Sequence, residues 1–594
     1  MLILVNQGSE KNLLSPKYFL YLAMGVAGKN KIDISSNPRV DAYYLSQHGC
    51  QEMYIFQPPQ PIWAAEILLR RLLSEYNESQ WYQPKKLAGL ASRILNEVMP
   101  QRELKIQHEM VRELKLNEFD PPEIGSLIWG RALLGTEIPG LLHSNGMELP
   151  WDPEDWLQYW YLQSELKREA SVSVDNLGLP FCRRCGESKA IIEDNCIFCG
   201  NTHCLTCTNC QTMGVAKSCI PLYSQSYPNH QSMKFQIEPR LKFELTQPQQ
   251  RASEAVIRFL ESRQPEFLVW AVCGAGKTEV SFGGLSRVIS QGQRVLYAIP
   301  RKDVVIELTP RLQEAFPEVP ISTMYGGSGE RFLDGPLTIA TTHQCLRFYQ
   351  SFDMVILDEA DAYPYQGCAM LHYAVGRALK PGGHLLIMTA TPSQTMLRQI
   401  RNRTLDYILI PARHHRKPLI VPQWLKCDLP LAADFKRKGE PPLIIREFIM
   451  SLKKNQRSGF IFMPTILQIE SIGSSLVSWA ATCGIMGEII HSRSANRAEA
   501  KERMLQGQIQ FVVTSTIFER GITIPNLDVM VLHADEEKIF NNQTLIQIAG
   551  RVGRLGEAGR VLWLSKTQSR SMKTAIQIIE DMNREGYELD YLDH

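Results

Sequence analysis

The sequence predicts an α/β protein whose C-terminal half carries two successive lobes, each a parallel sheet flanked by helices. Three observations predict it. An apolar run, Phe267-Leu-Val-Trp-Ala-Val272, leads straight into Cys273-Gly-Ala-Gly-Lys-Thr278 and then a helical stretch. A second apolar run, Phe352-Asp-Met-Val-Ile-Leu357, ends in Asp358-Glu-Ala-Asp361. Short apolar runs then alternate with helical stretches to about residue 590, which is the pattern of strands joined by crossover helices.

Length and composition set the frame. The chain has 594 residues, 44% hydrophobic and 21% charged. At about 100–200 residues per domain, about three to five domains are expected. The formal net charge is only +2, so any grip on phosphate must come from a local groove rather than a whole-molecule field. No apolar run reaches the ~18 residues that span a bilayer. Met1-Leu-Ile-Leu-Val5 is followed by Asn6 and Gln7, too short for a signal-peptide core, and it reads as a first strand. The expectation is a cytoplasmic protein.

Four regions follow along the chain. Residues 1–175 are an N-terminal α+β region of open role, in which Trp63-Ala-Ala-Glu-Ile-Leu-Leu-Arg-Arg-Leu-Leu73 reads as an amphipathic helix. Six of the ten tryptophans lie here, with Trp151, Trp156 and Trp160 close together. Exposed aromatics can stack on bases, but filling a core is the commoner role. Residues 180–222 form a cysteine-rich module. Residues 240–412 and 416–590 are the two lobes, joined through a His- and Arg-rich segment between Pro411 and Pro422.

The strand–loop–helix around residue 273 is the context a phosphate loop requires. Gly274 and Gly276 let backbone N–H groups approach phosphate, Ala275 lies between them, Lys277 would neutralise the β- and γ-phosphates, and Thr278 would ligate Mg²⁺. The first position of the usual pattern is Ala271 rather than glycine. A strand ending in paired carboxylates suits a hydrolytic enzyme of this kind: Asp358 to hold Mg²⁺, Glu359 to orient and deprotonate the attacking water. Upstream, the amide of Gln249 offers the donor and acceptor that match the edge of adenine, although a polar surface turn explains Leu245-Thr-Gln-Pro-Gln249 equally well. In the second lobe, Gln547-Ile-Ala-Gly-Arg551-Val-Gly-Arg554 offers two arginines expected on one face of a helix start, suited to the charge of a transferring γ-phosphate. With Lys277 in the other lobe, catalysis would require closure.

Eight of the fourteen cysteines lie between Cys182 and Cys219. Cys182-x₂-Cys185 and Cys196-x₂-Cys199 are followed by Cys204, Cys207, Cys210 and Cys219. Paired knuckles of this kind aim thiolates at a tetrahedral metal, and eight thiolates fill one or two structural Zn²⁺ sites. Spacing leaves the ligand pairing open, with His203 as a substitute ligand.

The motif set resembles superfamily 2 helicases over roughly residues 240–565, which implies two RecA-like lobes. In that order Gln249 marks the adenine motif and Gly274 to Thr278 motif I. Pro300-Arg301 and Thr341-Thr342-His343-Gln344 resemble the strand-binding loops. Asp358 to Asp361 is motif II, and Thr389-Ala390-Thr391 is the coupling motif III. Phe462-Met-Pro-Thr465 resembles motif IV, Thr514 through Glu519-Arg-Gly521 motif V, and Gln547 to Arg554 motif VI. The resemblance implies DNA contacts at Pro300, Arg301, Thr341, Thr342, Thr465 and Thr514, a nucleotide contact at Gly521, and coupling through Gln547. Asp-Glu-Ala-Asp is also the signature of RNA-unwinding DEAD-box enzymes, but those carry His and Arg where this chain has Gln547 and Ile548, and Ser in place of Thr389. The pattern is closer to DNA translocases.

With the cysteine cluster, Ala298-Ile-Pro-Arg-Lys-Asp-Val-Val-Ile-Glu-Leu308 and Asp358-Glu-Ala-Asp-Ala-Tyr-Pro-Tyr365, the chain resembles the ComFA family of late-competence ATPases from about residue 180 onward. That resemblance implies an ATP- and Mg²⁺-dependent motor on single-stranded DNA, acting at the inner face of a membrane uptake channel. The implied partners are a ComFC-like phosphoribosyltransferase-related protein and a recombination mediator. A replication-restart helicase similar to PriA is the alternative, although there the cysteines interrupt the second lobe whereas here they precede the first. A non-hydrolysing scaffold would be expected to have lost Lys277, Asp358, Glu359 or the arginines, and all are present.

Overall fold

The computed structural model describes residues 18–25, 31–75, 83–99, 104–114, 125–147, 152–163, 166–175, 177–228, 237–329, 332, 335–429, 440–491, 493–494, 497–516 and 524–593. It contains both expected parallel-sheet lobes. The first is a seven-stranded sheet in the order Ile321–Met324, Leu337–Thr341, Val295–Ile299, Phe352–Asp358, Leu379–Thr389, Glu266–Ala271, Asp406–Ile410. Glu266–Ala271 pairs in parallel with both of its neighbours, Leu268 standing opposite Ile387 and Tyr407. Strands covered on both faces read as continuous apolar runs, and Val295–Ile299 is buried at every position. The second sheet has six parallel strands in the order Gln423–Lys426, Val561–Ser565, Leu527–Leu532, Ser458–Phe462, Phe511–Thr514, Gly487–Ile490.

Several helices begin where the sequence supplies a side-chain acceptor. Asn541 Oδ1 accepts from Thr544 N at 2.9 Å and starts Asn542–Ala549. Ser569 caps Arg570–Glu588 through Met572 N at 3.2 Å. Each such cap contributes about 1 kcal/mol. The second lobe's core packs Trp563, Phe460, Phe462, Leu545 and Met572 between sheet and helices.

The N-terminal region is α+β. Its four-stranded antiparallel sheet runs Lys31–Ser35, Tyr18–Gly25, Cys50–Gln60, Lys105–Met110. The expected amphipathic helix is Ile62–Glu75, burying Ile62, Ala64, Ala65, Leu68 and Leu72. The region also holds a buried polar network. Gln158 Nε2 donates to both oxygens of Asp41 at 3.0 Å, Arg168 reaches Gln158 Oε1 and the Ile34 carbonyl, and Tyr161 stacks on Arg168 with its hydroxyl on Asp33. Burial pushes the Asp41 carboxyl up to about 7. Trp156 is core and Trp63, Trp129 and Trp160 are partly buried, so these four fill packing roles; Trp81, Trp151 and the Met1–Val5 strand lie outside the described residues. Pro221–Gln225, just past the last cysteine, pairs with both Arg131–Leu134 and Lys167–Ala170. The cysteine module is thereby stitched into a sheet with N-terminal strands.

By compactness the chain forms two units. One comprises residues 1–232, 322–355 and 367–383; the other comprises 233–321, 356–366 and 384–594.

Candidate nucleotide site and cysteine centre

Among the described residues, the nucleotide-site residues expected from sequence all fall in the second unit. Strand Glu266–Ala271 delivers the loop 272–276, and helix Lys277–Ser290 leaves from it. Gly274 and Gly276 have φ of +82° and +77°, the left-handed region that favours glycine. A Cβ on Gly276 would meet Gln249 Nε2 at 2.4 Å. Gln249 accepts from Thr246 N at 2.8 Å and donates to the Ala275 carbonyl at 2.9 Å, welding the phosphate loop to the N-terminus of helix Gln247–Leu260. Lys277 Nζ donates to the Ala271 carbonyl at 3.3 Å.

A cleft of about 730 Å³ is lined by Gln249, Gly274, Gly276, Lys277, Thr278, Asp358, Glu359 and Arg554, with exposed Phe243 among its other walls. Asp358 ends its strand buried; burial pushes its carboxyl up to about 6, with the Lys277 ammonium opposing the shift. Glu359 stands at φ +53°, a strained conformation for a residue with a side chain, and its N–H donates to Asp358 Oδ1 at 2.8 Å. The two carboxylates are thus presented on a tight turn at the strand's carboxyl end, where α/β sheets bind ligands.

Below the cleft, one buried carboxylate joins three motifs. Asp361 Oδ1 accepts from Thr389 Oγ1 at 2.6 Å, and Oδ2 accepts from Thr391 Oγ1 at 2.7 Å and Gln547 Nε2 at 3.1 Å. Gln547 Oε1 accepts from the Cys273 thiol at 3.0 Å. Ala390 contributes its carbonyl to Trp270 Nε1 at 3.2 Å. Hydrogen bonds to a charged acceptor contribute about 1.5–3 kcal/mol each, so this chain is a firm tie between the two sheets.

The arginine pair departs from expectation. Helix Asn542–Ala549 ends at Gly550, and Arg551 and Arg554 follow it in a series of turns rather than starting a helix, with Gly553 at φ +68°. Arg554 lines the cleft, whereas Arg551 is 1% exposed and is not among the residues that line it. Sequence reasoning missed a third arginine. Arg413, in the segment read as a plain linker, is buried and donates to the carbonyls of Cys273 (2.9 Å), Val552 (2.8 Å) and Gly550 (2.8 Å). Alternating basic and His residues carry no signal that one of them is buried.

The residues expected to touch DNA all sit at or just past the carboxyl ends of parallel strands. Pro300 and Arg301 follow Val295–Ile299, Thr341 ends Leu337–Thr341, Thr514 ends Phe511–Thr514 and Thr465 follows Ser458–Phe462. Pro300 is buried and Arg301 half-buried. Thr341 and Thr342 are 6% and 0% exposed, so this segment offers backbone and His343 rather than threonine hydroxyls. Thr514 is buried too, its hydroxyl on the Ser515 carbonyl, and Thr465 is exposed while capping a helical turn through Gln468 N at 3.2 Å. Glu519, Arg520 and Gly521 lie outside the described residues.

The eight clustered cysteines resolve into two groups of four. Cys182, Cys185, Cys207 and Cys210 form one, and Cys196, Cys199, Cys204 and Cys219 the other, the Sγ atoms of each group lying within 4.8 Å of one another. Sγ–Sγ separations of 3.7 Å (Cys182–Cys210), 3.6 Å (Cys185–Cys207) and 3.7 Å (Cys196–Cys219) match the ~3.8 Å edge of a tetrahedron with Zn–S bonds of about 2.3 Å. None of the fourteen cysteines is in a disulfide. The pairs Cys182-x₂-Cys185 and Cys196-x₂-Cys199 belong to different groups. His203 is exposed, paired with Glu193, and in neither group.

Comparison with known proteins fits this geometry. Residues 242–394 match the family described as type III restriction enzyme, res subunit, and residues 441–556 match the helicase conserved C-terminal domain. Residues 117–224 match the competence protein ComFA N-terminal domain. Competence protein ComFA of Bacillus subtilis (strain 168) is 36% identical over 434 residues, covering 71% of this chain and 90% of that protein. ComFA of Streptococcus pneumoniae (strain ATCC BAA-255 / R6) is 32% identical over 446 residues, covering 73% and 98%. The structure of S. cerevisiae Dbp5 bound to RNA and ADP BeF3 aligns with a TM-score of 0.42 at 17% identity, covering 58% of this chain and 96% of that one. Among the described residues no helix is long and apolar enough to cross a membrane. The helicase domains make the protein an ATP hydrolase that uses Mg²⁺, and with the two ComFA relatives and the matched N-terminal domain the chain belongs to the ComFA family of competence proteins.

Proposed function

We propose that this ATPase is stimulated by single-stranded DNA and moves along it, drawing DNA inward during natural transformation. The observation that carries the reading is the convergence of Lys277, Thr278, Asp358, Glu359 and Arg554 on one cleft, above a hydrogen-bond chain that ties both sheets through Asp361 and Gln547. In this reading the loop amides and Lys277 hold the β- and γ-phosphates, and Thr278 and Asp358 hold Mg²⁺, which supplies charge neutralisation. Gln249 and the neighbouring wall take the adenine. Glu359 takes the proton from water as its oxygen attacks the γ-phosphorus and the bond to the bridging oxygen breaks, giving ADP and phosphate. Arg554 stabilises the charge on the transferring group from the cleft wall, and closure of the lobes would bring Arg551 to it. Gly521 contacts the nucleotide, and Asp361, Thr389, Thr391 and Gln547 pass the change to the strand-end segments at Pro300–Arg301, Thr341–Gln344, Thr465 and Thr514, which grip the sugar-phosphate backbone.

The fit of both cysteine groups to tetrahedral thiolate supports two structural Zn²⁺ ions. We assign residues 240–412 and 416–590 to the two lobes, 180–222 to the zinc module and 1–175 to an N-terminal extension of open role. The ComFA relationship supports a place at the inner face of a DNA-uptake channel, with a ComFC-like protein and a recombination mediator as partners. The test is ATP turnover without nucleic acid and with single-stranded DNA, duplex DNA or single-stranded RNA, using Lys277→Ala as control. Strong stimulation by single-stranded DNA, abolished in the variant, is expected; stimulation by RNA alone would overturn the assignment.

A further inference from the structure

The geometry points to the first cysteine group as the anchor of the segment after strand Leu337–Thr341, so that metal at Cys182, Cys185, Cys207 and Cys210 sets the grip on nucleic acid. The inference rests on the proposed role of Thr341–Gln344 as a backbone-gripping segment. Both residues between Cys182 and Cys185 are arginines, and both lead to that segment.

Arg184 is 0% exposed. Its Nη2 donates to Glu137 Oε2 at 3.0 Å and its Nη1 to the Gly214 carbonyl at 3.1 Å. The other oxygen of Glu137, Oε1, accepts from Arg347 Nε at 2.9 Å, and Arg347 Nη1 donates in turn to Gln344 Oε1. One nearly buried carboxylate therefore holds a guanidinium from the cysteine knuckle and another from the turn Gln344–Arg347.

A second tie runs in parallel. The carbonyl of Arg183 accepts from Tyr373 Oη and from Arg377 Nη1, both at 3.1 Å. The same Arg377 donates through Nη2 and Nε to the carbonyls of Leu346 and Phe348. Gly186 closes the knuckle, donating to the Cys182 carbonyl at 2.8 Å, and a Cβ there would come within 2.8 Å of the Tyr373 ring.

Four thiolates on one ion fix a CxxC turn, and with it the Arg183 carbonyl and the Arg184 side chain. A buried guanidinium is costly without its carboxylate, so a displaced knuckle would pull Glu137, and Glu137 would release Arg347. Glu137 is thus a positioning residue between metal and loop, outside both the nucleotide cleft and the metal ligands.

The experiment uses the full chain and Glu137→Gln, with Arg184→Lys as a second variant. Zinc content, DNA-free ATP turnover, KM for ATP, and binding of a labelled oligothymidylate without nucleotide are measured, together with hydrogen exchange of the 341–348 amides. DNA affinity is expected to fall by about tenfold and 341–348 to exchange faster, while zinc content, basal turnover and KM for ATP stay at wild-type values. Stripping zinc from the wild type should reproduce the loss, and stripping Glu137→Gln should add little. By reciprocity, oligothymidylate should slow zinc release to a chelator in the wild type and less so in the variant. Wild-type DNA affinity in both variants, or a loss of DNA binding matched by an equal loss in KM for ATP, overturns the inference. If the wild type binds no DNA, the functional reading falls instead, and unchanged exchange of 341–348 on stripping zinc would then remove the mechanical tie as well.

Discussion

Replacing Arg413 by methionine keeps the length of the buried side chain and deletes its three hydrogen bonds. Those bonds, 2.8–2.9 Å to the carbonyls of Cys273, Gly550 and Val552, join the phosphate loop to the turns that carry Arg551 and Arg554. Bonds from a charged donor contribute about 1.5–3 kcal/mol each. Against them stands the burial of the charge: desolvation, reinforced by Arg554, lowers the guanidinium to about 10, roughly 3 kcal/mol at about 1.4 kcal/mol per unit. The difference is a net loss of about 1–6 kcal/mol, centred near ~3. Spent on the arrangement of loop and arginines rather than on global unfolding, ~3 kcal/mol shifts that equilibrium by about a hundredfold. Steady-state ATP turnover of Arg413→Met should therefore show kcat reduced by about ten- to a hundredfold and KM for ATP changed less than about threefold. Arg413→Lys, which keeps the charge but cannot reach three acceptors, should fall between. A folded Arg413→Met with kcat within about twofold of wild type would refute the claim that this side chain holds the arginines to the loop.

Glu359→Gln should lower kcat by about a hundredfold or more while leaving nucleotide affinity nearly unchanged; equal loss in both would place Glu359 in binding rather than proton transfer. Metal analysis of the purified chain should find two zinc ions, with Cys207→Ser and Cys204→Ser each losing one, and chelation should lower the melting temperature; a single ion, lost in only one variant, would contradict the paired groups. The Asp41 carboxyl is raised from 3.8 to about 7 by burial, so the folded chain holds a proton there that the unfolded chain releases. Its contribution to stability is complete below about pH 4 and is lost as pH rises through about 7, by at most roughly 4 kcal/mol. Asp41→Asn should flatten the fall in melting temperature between pH 5 and pH 8, and parallel curves for the two proteins would refute the assignment.

Much of this site was legible because its signals are local. A glycine loop between strand and helix, and two carboxylates at a strand's end, are short-range patterns that the fold must honour, and Gly274, Gly276, Lys277, Asp358 and Glu359 line or frame one cleft. Arg413 was illegible because nothing in Pro411–Pro422 distinguishes the one cation that turns inward from those that face water. The placement of Arg551 and Arg554 failed for a related reason: Gly550 and Gly553 end the helix one turn earlier than the motif's spacing suggests. The burial of Thr341, Thr342 and Thr514 follows from sheet position, which depends on strand order and not on any residue nearby. Glu137 could not be read at all, since its two arginine partners are 47 and 210 positions away.

The interleaving of the two cysteine groups has a topological consequence. Ligands of the first set run from Cys182 to Cys210, 28 positions apart, and ligands of the second from Cys196 to Cys219, 23 apart. Each segment begins inside or ends outside the other, so neither set belongs to a piece of chain that could be cut away intact. Closing one loop brings the ends of the other nearer and lowers its closure entropy, which for a flexible loop grows only with the logarithm of its length. Metal taken up by one set therefore raises the effective concentration of the remaining thiolates, and each set fills more readily when the other is already occupied.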